Sequence, residues 1–277
     1  MPIYINNAEI KSTIFAGGEC HVNVSSAKIG NDIQVIAKLF SSDDVMHLLL
    51  TLDAVRRINP HVSIKLIIPY FPYSRQDRVC MPGEALSVRV MAELINNLHC
   101  DGITIFDPHS AVTPALLNNC QVISLAEIIL KSELLKIIYD KNLVLLAPDL
   151  GAENKVREVA NKLSRKDKVI NVLTARKNRD AIRGNIIATE VFGDIAGKNI
   201  IILDDICDLG HTFTSLAAQL KEKGANQIYL YITHGIFSRG LDVLRAQFTH
   251  VYCYHTMLDR KNIDGKFLTI LEQDNFC

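Results

Sequence analysis

Short blocks rich in Val, Ile and Leu recur along this chain, each beside a longer stretch whose apolar residues follow helical spacing. The blocks are "DIQVIAKL" (32–39), "SIKLIIPY" (63–70), "GITIFDPH" (102–109), "NLVLLAPD" (142–149), "VINVLTA" (169–175), "NIIILDD" (199–205) and "IYLYITHG" (228–235). They are nearly continuous in apolar character rather than alternating. That is the mark of strands buried on both faces of a parallel sheet. The helical pattern falls at 43–57, 85–98, 124–139, 152–164 and 212–223, so the predicted class is α/β, with parallel sheets flanked by helices.

An internal echo divides the chain. "DAVRRINPHVSIKLIIPYFPYS" (53–74) and "AQLKEKGANQIYLYITHGIFS" (218–238) both read helix, turn, strand, aromatic loop, serine. Two similar halves follow, 1–142 and 143–277. In open parallel sheets, ligands gather beyond the carboxyl ends of the strands. The polar residues that break the apolar blocks lie there: Arg75, Gln76 and Asp77; Asp107 and His109; Asp149; Asp204, Asp205 and Asp208. Strand burial needs none of these side chains.

The totals narrow the partners. Thirty basic and thirty acidic residues leave no net charge, and no basic run is interleaved with aromatics, so nucleic acid is disfavoured. No stretch has a secretory layout or approaches twenty apolar residues, which predicts a cytoplasmic protein with no membrane contact. Seven cysteines without a C-x-x-C pair are read as reduced thiols and not as a zinc site.

The densest chemistry lies in "ILDDICDLGHTFTSL" (202–216). Asp204 and Asp205 are acceptor-only groups suited to the two hydroxyls of a ribose diol. Gly210 permits a tight turn, and a helix starting near Thr212 directs backbone N–H groups at a phosphate. The plainer alternative is that Asp208 or Thr212 only caps that helix.

This string resembles the phosphoribosyl-pyrophosphate loop of type I phosphoribosyltransferases, V-D-D-x-x-D-T-G-G-T. More fully, the chain resembles the ribose-phosphate pyrophosphokinase (phosphoribosyl-pyrophosphate synthetase) family. Further strings carry the likeness: "FAGGE" (15–19), "SSDDVMHLLLTLDAVRR" (41–57), "IPYFPYSRQDR" (68–78), "FDPHS" (106–110), "PDLGA" (148–152) and "THGIFS" (233–238). The resemblance implies two type I phosphoribosyltransferase-like domains with the site between them, and a homo-oligomer. The implied reaction moves the β,γ-diphosphate of ATP, with Mg2+, onto the C1 hydroxyl of ribose 5-phosphate and releases AMP. Phe15 and Glu19 would then form the adenine and ATP site, with Arg75, Gln76 and Asp77 also binding ATP. His109 would sit beside the metal-bound triphosphate and Asp149 near a second cation. Asp204, Asp205 and Asp208 would hold the ribose, Asp208 close to the chemistry, with Leu209, Gly210, His211 and Thr212 completing the acceptor loop. A mobile loop, "TARKNRDAIRGN" (174–185), would bring Lys177 and Arg179 to the moving diphosphate, with Arg176 and Arg183 nearby.

Departures fall in the site. Gly17 replaces the family's Asn or Asp, Val79 a lysine, and Ala152 a glycine. Leu209 stands for the threonine of D-T-G-G-T and His211 for its second glycine. The diol carboxylates are thus kept while the phosphate cradle is changed. An acceptor whose 5′-phosphate is esterified, such as ADP-ribose, would explain that pattern, with His211 meeting the second phosphate. Alternatively, backbone N–H groups alone bind phosphate and His211 points outward. A phosphoribosyltransferase and a non-catalytic regulatory homologue are the competing classes.

Overall fold

The computed structural model describes residues 3–166, 168–179, 186–259, 261 and 263–271, with backbone alone at 177–179 and 186–190. It divides into two compact units, Met1–Ile123 and Ser124–Cys277.

The first unit runs β1 (Ile3–Ile5), β2 (Ala8–Ile10), β3 (Ser12–Ile14), β4 (Cys20–Val22), β5 (Asp32–Ala37), α1 (Ser42–Ile58), β6 (Ser63–Ile68), α2 (Ser87–Asn96), β7 (Gly102–Phe106), α3 (Val112–Leu116) and β8 (Cys120–Ile123). One sheet has the order β2-β1-β5-β6-β7-β8, and β3 with β4 forms a separate hairpin. Strands β5 to β8 pair in parallel, and β1 joins β5 antiparallel. The apolar blocks explain the parallel part: Val35, Ile64, Leu66, Ile68 and Ile105 are fully buried among Leu48, Leu52, Val88 and Ile95 from the helices. Helix α1 starts with a capping box, in which Ser41 accepts from the Asp44 amide and Asp44 accepts from the Ser41 amide at 2.8 Å.

The second unit runs α4 (Leu125–Lys131), α5 (Leu134–Asp140), β9 (Val144–Ala147), α6 (Leu150–Leu163), β10 (Val172–Arg179), β11 (Ile186–Phe192), β12 (Asn199–Cys207), α7 (His211–Glu222), β13 (Gln227–Gly235), α8 (Asp242–Arg245), β14 (His250–Thr256) and β15 (Leu268–Ile270). Its sheet order is β11-β10-β9-β12-β13-β14-β15. Strand β12 is central, parallel to β9 on one side and β13 on the other. Ile200 and Ile202 face the α7 residues Phe213, Leu216, Ala217 and Leu220 in one buried cluster.

Several expected elements change shape. The helix expected over 124–139 is two helices, broken at Ser132, whose extended backbone (φ −103°, ψ 163°) stops α4. Both lie in the second unit by contact, since α4 opens with its own Ser124–Glu127 capping box and packs against α6. By contact, the two compact units meet between Ile123 and Ser124. Of the basic segment read as a mobile loop, the first half, Thr174–Arg179, continues β10 and pairs antiparallel with β11. The reason is the antiparallel return, which supplies ladder hydrogen bonds to a segment whose apolar pattern is too sparse to announce a strand. Residues 180–185, with Arg183, lie outside the described residues.

The internal echo is geometric as well as sequential. Tyr73 before Ser74 and Phe237 before Ser238 both take the left-handed backbone conformation, at φ 60° and 47°. That conformation is unusual for aromatic residues, and its repetition marks equivalent turns after β6 and β13.

Close packing under the second turn makes one glycine indispensable. A Cβ on Gly235 would lie 2.1 Å from Phe237 Cε2 and 2.7 Å from Cys253 Sγ. We expect Gly235→Ala to lower unfolding free energy by about 2 kcal/mol, because buried Phe237 must be displaced. Gly17→Ala, which meets nothing within 4 Å, should change it by less than about 0.5 kcal/mol. Urea denaturation of both variants measures the difference.

Candidate functional site

In the first unit the expected residues fall on three segments. Phe15 and Glu19 close the β3–β4 hairpin, with the Phe15 amide donating to the Glu19 carbonyl at 2.9 Å and Gly18 at φ 89°. The Phe15 ring is exposed and lies 5.8 Å from the His21 ring. An exposed aromatic on a polar turn presents its flat face to solvent rather than to the core.

Arg75, Gln76 and Asp77 follow β6, while Asp107 and His109 follow the adjacent strand β7, so both sets occupy the carboxyl end of one parallel pair. Arg75, Gln76 and His109 are exposed. Gln76 is oriented by Ser87, whose hydroxyl donates to Oε1 at 2.6 Å. Asp107 is buried with φ 35° and donates its amide to Ile123 at 2.8 Å, which sets the sharp exit that leads to His109. Val79 is half exposed on the loop beyond. That loop is tied by Glu84, which accepts from the Cys80 and Met81 amides at 2.8 and 3.0 Å.

In the second unit the carboxyl ends of β9, β12 and β13 lie side by side. Asp149 follows β9 and caps α6, with Oδ1 accepting from the Ala152 amide at 3.2 Å. Asp204 and Asp205 end the apolar part of β12. Successive strand residues point to opposite faces, and the two carboxylates differ accordingly. Asp205 is buried and pairs with Lys155 of α6, Nζ to Oδ2 3.6 Å. Asp204 Oδ1 accepts from the Asp205 amide at 2.9 Å.

Burial pushes the Asp204 carboxyl well above the usual carboxylate range, helped by the negative charges of Asp205 and Asp149, and the amide bond only partly offsets this. Further along the strand, burial and the charges of Asp204 and Asp208 push the Cys207 thiol up to about 12, which disfavours its thiolate.

Past the strand the chain turns sharply. Asp208 accepts from the Ser238 hydroxyl at 2.5 Å, a short charge-assisted bond from the turn after β13. Gly210 precedes α7 at φ 79°, and a Cβ there would lie 3.2 Å from Leu244 Cδ2. Leu209, His211 and Thr212 are exposed. His211 is the first residue of α7, and its Nε2 lies 3.2 Å from Arg239 Nη1. Lys177 and Arg179 sit on β10, in register with Thr189 and Ile186 of β11. Arg176 stacks 5.5 Å from the Phe192 ring centre.

The N-terminal domain of ribose phosphate pyrophosphokinase matches residues 2–98, and the phosphoribosyl synthetase-associated domain matches residues 182–246. A ribose-phosphate pyrophosphokinase of Aquifex aeolicus is 32% identical over 228 residues, covering 82% of this chain and 71% of the relative. One from Agrobacterium fabrum is 31% identical over 239 residues, covering 85% and 74%. The chain belongs to the ribose-phosphate pyrophosphokinase family. It is therefore a transferase of the diphosphokinase type. In fold it is similar to phosphoribosylpyrophosphate synthetase from Mycobacterium smegmatis, with TM-score 0.79 and 22% identity over 95% of this chain and 85% of that one.

Within this pyrophosphokinase fold, the structure adds three neighbours of the expected site: Lys155, Ser238 and Arg239. Ser238 had a signal, the repeated aromatic–Ser turn. Lys155 and Arg239 had none, because their roles depend on which element lies beside β12. Among the described residues, no helix is long and apolar enough to cross a membrane.

The raised Asp204 carboxyl makes a signed prediction. An acid harder to ionise in the fold than in the unfolded chain withdraws stability as pH rises above its ordinary value of 3.8. In the absence of divalent cations, Asp204→Asn should raise the melting temperature at pH 7, and the gain should vanish near pH 3.5 to 4. Thermal melts across that range measure it. Ser238→Ala, by freeing Asp208 from its donor, should lower kcat/KM about tenfold at near-native stability, read by steady-state kinetics.

Proposed function

We propose that the chain transfers the β,γ-diphosphate of Mg-ATP to the C1 hydroxyl of a ribose 5-phosphate unit and releases AMP. The observation that carries this reading is the strand-end pair Asp204–Asp205 followed by the Asp208–Gly210 turn and the start of α7. Carboxylates there accept from the ribose 2- and 3-hydroxyls, and the turn with the helix N-terminus meets the phosphate on C5. The attacking hydroxyl then sits at the acidic end of the loop, near Asp208, whose orientation Ser238 holds.

In phosphoryl transfer of this type, positioning and charge stabilisation do most of the catalytic work. In the first unit, Phe15 and Glu19 would hold the adenine end of ATP. Arg75, Gln76 and Asp77 would hold the remainder, the Arg75 fork suiting phosphate oxygens. Lys177 and Arg179 would neutralise the diphosphate as it moves.

Mg2+ fits the donor set present. It keeps several waters and takes one or two protein groups plus substrate phosphates. Among the described residues, no cluster of three or more His, Cys, Asp or Glu could hold a metal alone. When bound, the cation would neutralise phosphate charge, with Asp149 and His109 as the protein groups beside it.

One observation favours a larger acceptor. The Arg239 guanidinium lies against His211 Nε2 at the start of α7, beside exposed Leu209. A free 5′-phosphate held by the turn and the helix N-terminus gains little from a further cation there. A diphosphate ester such as ADP-ribose would place its second phosphate against it, and the product would be an ADP-ribose pyrophosphate suited to NAD synthesis.

AMP release with ribose 5-phosphate or ADP-ribose, combined with phosphorus NMR for an anomeric diphosphate, tests both readings. Turnover with either acceptor is expected to fall more than about 100-fold in Asp204→Asn/Asp205→Asn. Full activity in that folded variant would remove the ribose assignment. His211→Gly should lower use of ADP-ribose relative to ribose 5-phosphate, and an unchanged ratio would remove the larger acceptor.

A further inference from the structure

The Asp204–Asp205 pair sets an electrostatic problem that the proposed reaction does not explain. Two adjacent carboxylates end one strand, a third carboxylate, Asp149, ends the neighbouring strand, and the molecule meant to approach them is an anion. Asp205 is the more deeply sequestered of the pair, with a side chain 8% exposed. A buried carboxylate without compensation is strongly disfavoured, and its field would repel a phosphate ester.

Lys155 meets this problem from outside the loop. It lies on α6, whose first turn begins at Asp149, and it brings Nζ to 3.6 Å from Asp205 Oδ2. Its side chain is only 28% exposed, so its charge is less screened than that of a surface lysine. The other ion pairs of α6, Arg157–Glu153 and Lys162–Glu158, are one-turn neighbours on the helix surface. Lys155 instead reaches across to another element and to a residue of the acceptor site.

We infer that Lys155 is a positioning residue for the acceptor: it holds the Asp205 carboxylate in place and cancels its charge, so that the strand-end pair receives a ribose phosphate. The division of labour follows from the alternation of β12. Asp205 is the charge-compensated partner facing α6, and Asp204 is the neighbouring carboxyl held by the Asp205 amide. Lys155 touches neither reacting atom, so its contribution belongs to acceptor binding more than to the chemical step. This rests on the ribose assignment to β12, and two kinds of measurement separate the failures.

The kinetic test compares Lys155→Met, Lys155→Arg and wild type, with the acceptor varied at saturating Mg-ATP. Lys155→Met should raise the acceptor KM about tenfold with kcat within about threefold, and Lys155→Arg should restore KM to within about threefold of wild type. In an Asp205→Asn background, Lys155→Met should raise KM by no more than about twofold further, because its partner has lost the charge. An unchanged KM in folded Lys155→Met, or an undiminished effect in the Asp205→Asn background, overturns the inference. Should Lys155→Met fail to fold, Lys155→Gln is read in the same way. The second measurement is the same double-mutant cycle in thermal stability, which needs no turnover. Coupling between Lys155 and Asp205 in melting temperature, with neither acceptor turned over by wild type, sinks the functional reading and leaves the ion pair standing. Absence of coupling in both stability and KM sinks the Lys155 role alone.

Discussion

Burying two neighbouring carboxylates at the end of a parallel strand is the costly feature around which the second unit is organised. Strand β12 is flanked on both sides by parallel neighbours, and its apolar residues Ile200, Ile201, Ile202 and Leu203 are fully buried. The next two residues are acids. Water cannot solvate both, so the fold supplies the Asp205 amide to Asp204 and Lys155 to Asp205. The compensation is incomplete, since Asp204 stays hard to ionise.

The surrounding architecture follows from that need. Asp149, Asp205 and Asp208 belong to segments that leave adjacent strands or pack on them, and each carboxylate meets a partner from a different place in sequence: Ala152, Lys155 and Ser238. Gly210 lets the chain reverse at φ 79° beside Leu244, whose side chain would crowd an added Cβ. Helix α7 then begins at once, so its N-terminus sits next to the acidic turn. The first unit repeats the plan with different chemistry: an arginine–glutamine–aspartate turn after β6 and a histidine after β7.

Much of this was readable from the chain itself. Apolar blocks located β5, β6, β7, β9, β12 and β13 because a strand buried on both faces has no choice but to be apolar along its length. The acids and basic residues that interrupt the blocks stood out for the same reason. Short elements did not: β1 to β4, β11 and β15 are three to seven residues long and owe their existence to a neighbour's ladder bonds more than to their own pattern. The segment 174–179 shows this most clearly, since its basic residues suggest a solvated loop and pairing with β11 makes it strand.

Sequence by itself determined the class of fold, the family and the identities of the strand-end residues, because burial periodicity and local motifs are short-range properties of the chain. Tertiary structure alone decided which of those residues meet. That α6 lies against β12 and hands Lys155 to Asp205, that Ser238 reaches Asp208, and that Arg239 stands beside His211 are consequences of strand order and crossover. The partners are 28 to 50 positions apart in the chain, and no local pattern encodes a contact made by the packing of whole elements. The same packing decided the state of Asp204, since burial and the charges of Asp205 and Asp149 are properties of the folded site, not of an aspartate.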